Sequence, residues 1–118
     1  MSNILVVDDE PTLAANIARY LRMNGHQVAL AHDLRSAREA LRETRFDALC
    51  LDIRLPDGNG LELLREIRQH DRETDVLVIT GDGESTSEKV ALTQGATAVL
   101  KKPFALSELA IFFAETSH

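Results

Sequence analysis

Short apolar segments alternate with longer amphipathic segments along the whole chain, and this alternation is the strongest constraint on its fold. The apolar segments are rich in β-branched residues and leucine, and mostly do not alternate with polar residues. This pattern is typical of parallel strands that are buried on both faces. The predicted strands span residues 4–7, 28–31, 48–51, 76–79 and 98–100. Polar residues flank the second segment, which makes it the best candidate for an edge strand.

The segments between the predicted strands have the period of amphipathic helices. Pro11 suits the first turn of the first helix, Gly25 follows its end, and Asp33 is a suitable N-cap for the second. The fourth helix has a weak apolar stripe, with only Val90 and Ala91 as strong inward residues. The predicted helices cover about 11–24, 33–44, 60–70, 84–94 and 106 onward.

Five strands that alternate with five helices predict one α/β domain over residues 1–118. Short connections of this kind build an open parallel sheet with right-handed crossovers and helices on both faces. In such sheets, functional groups gather beyond the carboxyl ends of the strands. The residues that directly follow the predicted strands are therefore the candidates for a functional site.

Acidic, hydroxyl and basic side chains follow four of the predicted strands. These residues are Asp8, Asp9, Glu10, Asp52, Thr80, Lys101 and Lys102. Two carboxylates about 4–5 Å apart repel each other by roughly 3–4 kcal/mol at an effective dielectric constant near 20, so three together need a compensating cation. Mg²⁺ is suitable because it takes a few carboxylate or carbonyl oxygens and keeps positions for water and a substrate phosphate. Each of these residues alone is typical of a turn, but their occurrence together at the ends of four strands favours a functional site.

The composition argues against several other classes of protein. Nineteen acidic and thirteen basic residues give a formal net charge of -6, which is unfavourable for direct binding to nucleic acid or an anionic membrane. The single cysteine, Cys50, cannot form a disulfide within the chain and is predicted to be a small core residue. The amino terminus lacks a signal-peptide pattern, and no apolar run is long enough to span a membrane. We therefore expect a cytoplasmic protein.

Four segments of the chain resemble the receiver domain of two-component response regulators. They are VVDDEP, LDIRLPDGNG, VITGDGE and GATAVLKKPF, which resemble the acidic pair, the phosphoacceptor loop, the hydroxyl switch segment and the lysine-proline turn of that family. The resemblance covers nearly the whole chain, with the segments in family order and at family spacing. It implies a flavodoxin-like fold, in which a doubly wound sheet of five parallel strands in the order 2-1-3-4-5 is flanked by five helices.

The resemblance also implies roles for the residues that would handle a phosphoryl group. Asp52 would accept it from a sensor histidine kinase or a histidine phosphotransfer protein. Thr80 would be the switch hydroxyl, and Lys102 would bind the phosphoryl group. Lys102 is chosen over Lys101 because the family lysine directly precedes the proline, here Pro103, and the peptide bond between them would be cis.

A metal site is implied in the same way. Asp8 and Asp9 would bind Mg²⁺ together with Asp52, and the backbone carbonyl of Arg54 would complete the protein ligands. The protein would then be a signalling domain, not an enzyme, because it would catalyse only its own phosphorylation and dephosphorylation. We also expect Arg54 and Asp82 to face each other over the phosphoryl site and to influence hydrolysis.

The output would be a change at the surface formed by the fourth helix, fifth strand and fifth helix, which would control an output domain or a partner. Val99 stands where the family often has an aromatic residue, so an aromatic swing at this position is not expected. Ile111 and Phe112 are predicted to face solvent, and a homodimer through this surface would use Phe112. The four histidines show no metal-ligand spacing and are predicted to be surface residues.

Two other classes of function remain open from the sequence. One is a Mg²⁺-dependent phosphohydrolase with an aspartyl nucleophile, which normally has aspartates two residues apart, whereas Asp8 and Asp9 are adjacent. The other is a docking module that is never phosphorylated, which the presence of all five expected polar residues disfavours.

Overall fold

Five parallel strands form the central sheet of the computed structural model, which describes residues 2–81 and 85–115. We number the strands along the chain, and their order across the sheet is β2-β1-β3-β4-β5. This confirms the order 2-1-3-4-5 and the flavodoxin-like fold class. The strands are β1 (Asn3–Val7), β2 (Gln27–Ala31), β3 (Ala48–Asp52), β4 (Asp75–Thr80) and β5 (Ala98–Lys101).

The register of the strands brings their carboxyl ends together. Val7 lies beside Ala31 on one side and Leu51 on the other. Leu51 lies beside Val78, which in turn lies beside Val99. All five strands therefore end near one edge of the sheet, and the polar residues that follow them share that edge.

Helices cover both faces of the sheet, as the continuous apolar strands predict. They are α1 (Pro11–Met23), α2 (Leu34–Glu43), α3 (Gly60–His70), α4 (Ser85–Thr93) and α5 (Leu106–Glu115). One core cluster joins Ile4 and Val6 to residues of α1 and α5, and another joins Leu5 and Val7 to residues of α2, α3 and α4. Successive strand residues thus enter opposite cores, so neither face of the sheet needs polar side chains. No helix in the described part of the chain has the length and apolarity of a membrane span.

Helix α4 packs less tightly than predicted. Ala91 is fully buried, but Val90 is exposed, so the prediction that both face inward was wrong for Val90. Val99 on the neighbouring strand is half-buried in the same core cluster as Ala91. One fully buried side chain in the described part of this helix gives it a small apolar contact with the sheet.

Two further predictions about exposure were wrong. His26 is buried, and its Nδ1 accepts a hydrogen bond from the backbone N–H of Ser2 at 3.2 Å. Phe112 is half-buried, since its ring packs edge-to-face on Phe113 with ring centroids 4.9 Å apart. Ile111 is 63% exposed, as predicted.

The other predictions about exposure hold where the structure describes the residue. His32 and His70 are exposed, whereas His118 lies outside the described residues. Cys50 is buried, and burial raises the pKa of its thiol far above the ordinary value, which confirms a core role and excludes an activated nucleophile.

Candidate functional site

Three carboxylates converge at the carboxyl edge of the sheet. One oxygen from each of Asp8, Asp9 and Asp52 lies within 4.8 Å of the other two. Asp8 and Asp52 are buried, while Asp9 is exposed. Asp8 and Asp9 directly follow β1 and Asp52 ends β3, so the pairing of these neighbouring strands brings the cluster together.

The surroundings of Asp8 destabilise its charged form. Burial raises the pKa of its carboxyl group, the hydrogen bond from the backbone N–H of Glu10 at 2.9 Å lowers it, and the charge of Asp52 raises it, with a net increase. Its Oδ2 is buried and has no hydrogen-bond partner in the described ranges. This buried oxygen and the two neighbouring carboxylates form a set of hard oxygen donors that fits Mg²⁺.

Lys102 neutralises part of this acidic cluster. Its Nζ donates to Asp52 Oδ2 at 3.0 Å. Burial alone would lower the pKa of Lys102, but the hydrogen bond and the charges of the nearby acids outweigh burial and raise it. Lys102 is therefore a cation at neutral pH. The neighbouring Lys101 pairs instead with Glu88 at 3.2 Å. The peptide bond between Lys102 and Pro103 is cis, as the resemblance implies.

Thr80 ends β4 at the same edge of the sheet. Its side chain is fully buried, and its hydroxyl has no hydrogen-bond partner among residues 2–81 and 85–115. The backbone carbonyl of Thr80 accepts a hydrogen bond from Lys102 N–H at 2.8 Å, which ties the ends of β4 and β5 together. The strand ends thus bring the predicted hydroxyl and lysine to one place.

The loop after β3 orients the Asp52 carboxylate. The backbone N–H of Arg54 donates to Asp52 Oδ1 at 3.1 Å, while Oδ2 accepts from Lys102. Both oxygens are therefore held in a defined direction. The predicted contact between Arg54 and Asp82 cannot be described, because Asp82 lies outside the described residues.

Gly60 has a role at the site that the sequence analysis did not recognise. A Cβ atom at this position would lie 2.2 Å from the backbone oxygen of Asp52. The N–H of Gly60 also donates to the carbonyl of Ile53 at 2.6 Å. Only glycine lets the start of α3 approach the end of β3 this closely. The one available signal was its place eight residues after Asp52, at the predicted start of a helix.

A cleft at the opposite end of the sheet contains none of the predicted site residues. Its volume is about 1040 Å³, and it lies where the chain enters β3 and β4, between the carboxyl-terminal parts of α2 and α3. The candidate site is instead the acidic cluster, where three carboxylates and Lys102 converge.

Comparison with known proteins gives the same family from sequence and from structure. The family model described as the response regulator receiver domain matches residues 4–113. The response regulator MprA of Mycobacterium ulcerans (strain Agy99) is 45% identical over 107 residues, which are 90% of this chain and 46% of the relative. MprA of Mycobacterium tuberculosis (strain ATCC 25618 / H37Rv) is 44% identical over the same shares. This chain spans about half the length of these curated relatives.

Solved structures match over almost the whole fold. The receiver domain of NtrX from Brucella abortus has a TM-score of 0.90 and 33% identity, with 96% of each chain covered. A response regulator receiver domain protein from Clostridium thermocellum has a TM-score of 0.92 and 29% identity, with 98% of this chain and 94% of that chain covered. The chain therefore belongs to the receiver domains of two-component response regulators.

Proposed function

We propose that this domain is a switch that accepts a phosphoryl group on Asp52. The observation that carries the proposal is the Asp52 carboxylate, which is buried, oriented by Arg54 N–H and paired with Lys102 at 3.0 Å. An Asp52 oxygen forms a bond to phosphorus while the bond between phosphorus and the donor breaks, and the leaving group takes that electron pair. The product is an aspartyl phosphate. We propose a histidine kinase or histidine phosphotransfer protein as the donor, in the cytoplasm.

A metal ion held by the acidic cluster and the ammonium group of Lys102 would both stabilise the negative charge of the transferring group. Asp8, Asp9, Asp52 and the backbone carbonyl of Arg54 would hold Mg²⁺, which would neutralise charge that develops on the transferring group. Lys102 already contacts Asp52 and supplies a second positive charge beside it. Asp8 is buried, and its Oδ2 has no hydrogen-bond partner in the part of the chain that the structure describes, so it has a direct electrostatic reason to bind a cation.

The response to phosphorylation would pass through Thr80 and α4. A phosphoryl group adds charge and strong acceptor oxygens, which can draw in a buried hydroxyl that has no partner in the described part of the chain. Helix α4 follows Thr80 and has one fully buried residue among the side chains that the structure describes, so it can move with little loss of buried contact. Phosphorylation can shift the equilibrium between the inactive and active conformations only by the difference in its interaction free energy with the two. Val99 at this surface offers no aromatic ring to report the change.

A chemical test separates this function from the alternatives. The protein is incubated with a small phosphodonor such as acetyl phosphate, with Mg²⁺ or with EDTA, and its intact mass is measured. We expect a gain of one phosphoryl group with Mg²⁺ and almost none with EDTA. Borohydride reduction and peptide mapping should place it at Asp52. No gain in either condition would contradict the proposal, and repeated turnover of phosphate esters would favour a phosphohydrolase.

We also propose that the surface of α4, β5 and α5 mediates self-association or binding to an output partner. Its exposed apolar residues include Ile111 and Leu92, whereas Phe112 is half-buried and is not the expected central contact. Ile111→Asp should abolish dimer formation by the phosphorylated protein in sedimentation velocity without loss of folding. If this variant and the wild type sediment alike, a dimer through Ile111 is excluded.

A further inference from the structure

Asp57 makes a bridge between the phosphoacceptor loop and α2. Its Oδ1 accepts a hydrogen bond from the backbone N–H of Leu34 at 2.8 Å, and its Oδ2 accepts one from Arg35 N–H at 3.1 Å. These are the first two residues of α2, whose N–H groups have no partner within the helix. The negative charge also interacts favourably with the positive end of the helix dipole. Asp57 thus anchors one loop to a helix that lies 23 residues away in sequence.

The anchored loop is a small hairpin that begins two residues after Asp52. Arg54 pairs with Asn59 and Leu55 pairs with Gly58 in a short antiparallel ladder, and Asp57 lies in the turn. The hairpin lies close to α2, because a Cβ atom at Gly58 would be 2.7 Å from Leu34 Cδ1. Fixing the turn therefore fixes Arg54, whose N–H contacts Asp52 and whose carbonyl is the proposed fourth metal ligand.

The start of α2 also reaches the other side of the acidic cluster. His32, two residues before α2, has its Nδ1 3.1 Å from the backbone oxygen of Asp8. The same short stretch therefore touches the segment that carries Asp8 and, through Asp57, the hairpin that carries Arg54. The links between this stretch and the site are therefore His32 and the N–H groups of Leu34 and Arg35. The Asp33 side chain instead hydrogen-bonds to Ser36 in α2.

We propose that Asp57 is a positioning residue for the metal site, which acts by holding the hairpin on the start of α2. The inference rests on the proposed function, because it concerns the Mg²⁺ that the acidic cluster would hold. A simple helix cap would serve stability alone. A positioning residue would also change affinity for the metal, and groups that orient metal ligands typically change that affinity by about 10–100-fold.

Asp33 provides a matched control. It caps the same helix, with its Oδ1 accepting from Ser36 N–H at 2.7 Å, but it does not belong to the hairpin. Asp33→Ala and Asp57→Ala should both lower the urea midpoint of unfolding. Only Asp57→Ala should raise the dissociation constant for Mg²⁺, by about tenfold, in isothermal titration calorimetry of the unphosphorylated protein. Asp57→Asn retains an acceptor for Leu34 N–H and should give an intermediate constant.

The outcomes decide between positioning and capping. If Asp57→Ala and Asp33→Ala bind Mg²⁺ as tightly as the wild type, Asp57 is only a cap and the inference is wrong. If Asp57→Ala does not fold, the decision falls to Asp57→Asn, and an unchanged dissociation constant for that variant overturns the inference. A wild-type protein that binds no Mg²⁺ contradicts the proposed function itself, which separates that failure from a failure confined to Asp57.

Discussion

Asp52→Asn is expected to abolish phosphorylation while the domain stays folded. The amide has nearly the same shape as the carboxylate, but it carries no negative charge and its oxygen is a poor nucleophile. Asp52 is the buried carboxylate that both Lys102 and Arg54 N–H orient, so no other acid of the cluster is prepared in the same way. We expect no phosphoryl gain by intact mass after incubation times that convert the wild type completely.

The stability of this variant should separate chemistry from folding. Asp8 and Asp9 lose a repelling neighbour in Asp52→Asn, which offsets the loss of the ion pair with Lys102. We therefore expect a change in the free energy of unfolding within about 1 kcal/mol. Asp47→Asn is a suitable control, because Asp47 is exposed and precedes the same strand at its other end. That variant should be phosphorylated like the wild type. Phosphorylation of Asp52→Asn at the wild-type rate would refute Asp52 as the acceptor.

The strand pattern alone was sufficient to predict the layers of this fold. Residues such as Leu5 and Val6 are both apolar because they enter different cores, and the structure confirms helices on both sides of them. The positions of Asp8, Asp52 and Thr80 after the strands then placed them at one edge without knowledge of the strand order. The strand order itself came from the family resemblance.

Features that depend on contacts between distant segments were not predictable. Asp57 lies in the segment that resembles the phosphoacceptor loop, and nothing local indicates that its carboxylate caps a helix 23 residues earlier. His26 has a polar side chain after a helix, but it is buried, and the backbone N–H of Ser2, 24 residues earlier, donates to its ring. Such residues satisfy backbone groups that are distant in sequence, so their role is visible only when both partners are placed.

The prediction for Phe112 was wrong because this residue lies at the border between the buried and the exposed face of α5. Leu109 and Phe113 define the inward stripe of α5, and Phe112 lies about 60° away from Leu109 around the helix axis. A short side chain at that angle would stay in solvent. The phenylalanine side chain is long enough to reach the buried face and pack against Phe113. Ile111 is then the exposed residue of the pair.

Lys102→Ala is expected to slow phosphorylation and to strengthen Mg²⁺ binding at the same time. Lys102 Nζ contacts Asp52 at 3.0 Å, so its removal takes away one of the two cations proposed to stabilise the transferring phosphoryl group. Loss of one such electrostatic contact typically slows a reaction by about 100-fold or more. Yet the same ammonium group also repels a divalent cation from the three clustered carboxylates. Without it, the cluster has a larger unbalanced negative charge, and the dissociation constant for Mg²⁺ should fall by about threefold or more.

The opposite signs of these two effects make Lys102 a test of the whole electrostatic scheme. Lys101→Ala is the matched control, because Lys101 is the adjacent lysine, is largely exposed and pairs with Glu88 on α4 instead. It should leave both the phosphorylation rate with acetyl phosphate and the Mg²⁺ dissociation constant within about twofold of the wild type, since an exposed ion pair contributes little. Weaker Mg²⁺ binding in Lys102→Ala would mean that Lys102 organises the carboxylates instead of competing with the metal. An equal loss of rate in both variants would mean that the effect of Lys102 comes from general surface charge and not from its contact with Asp52.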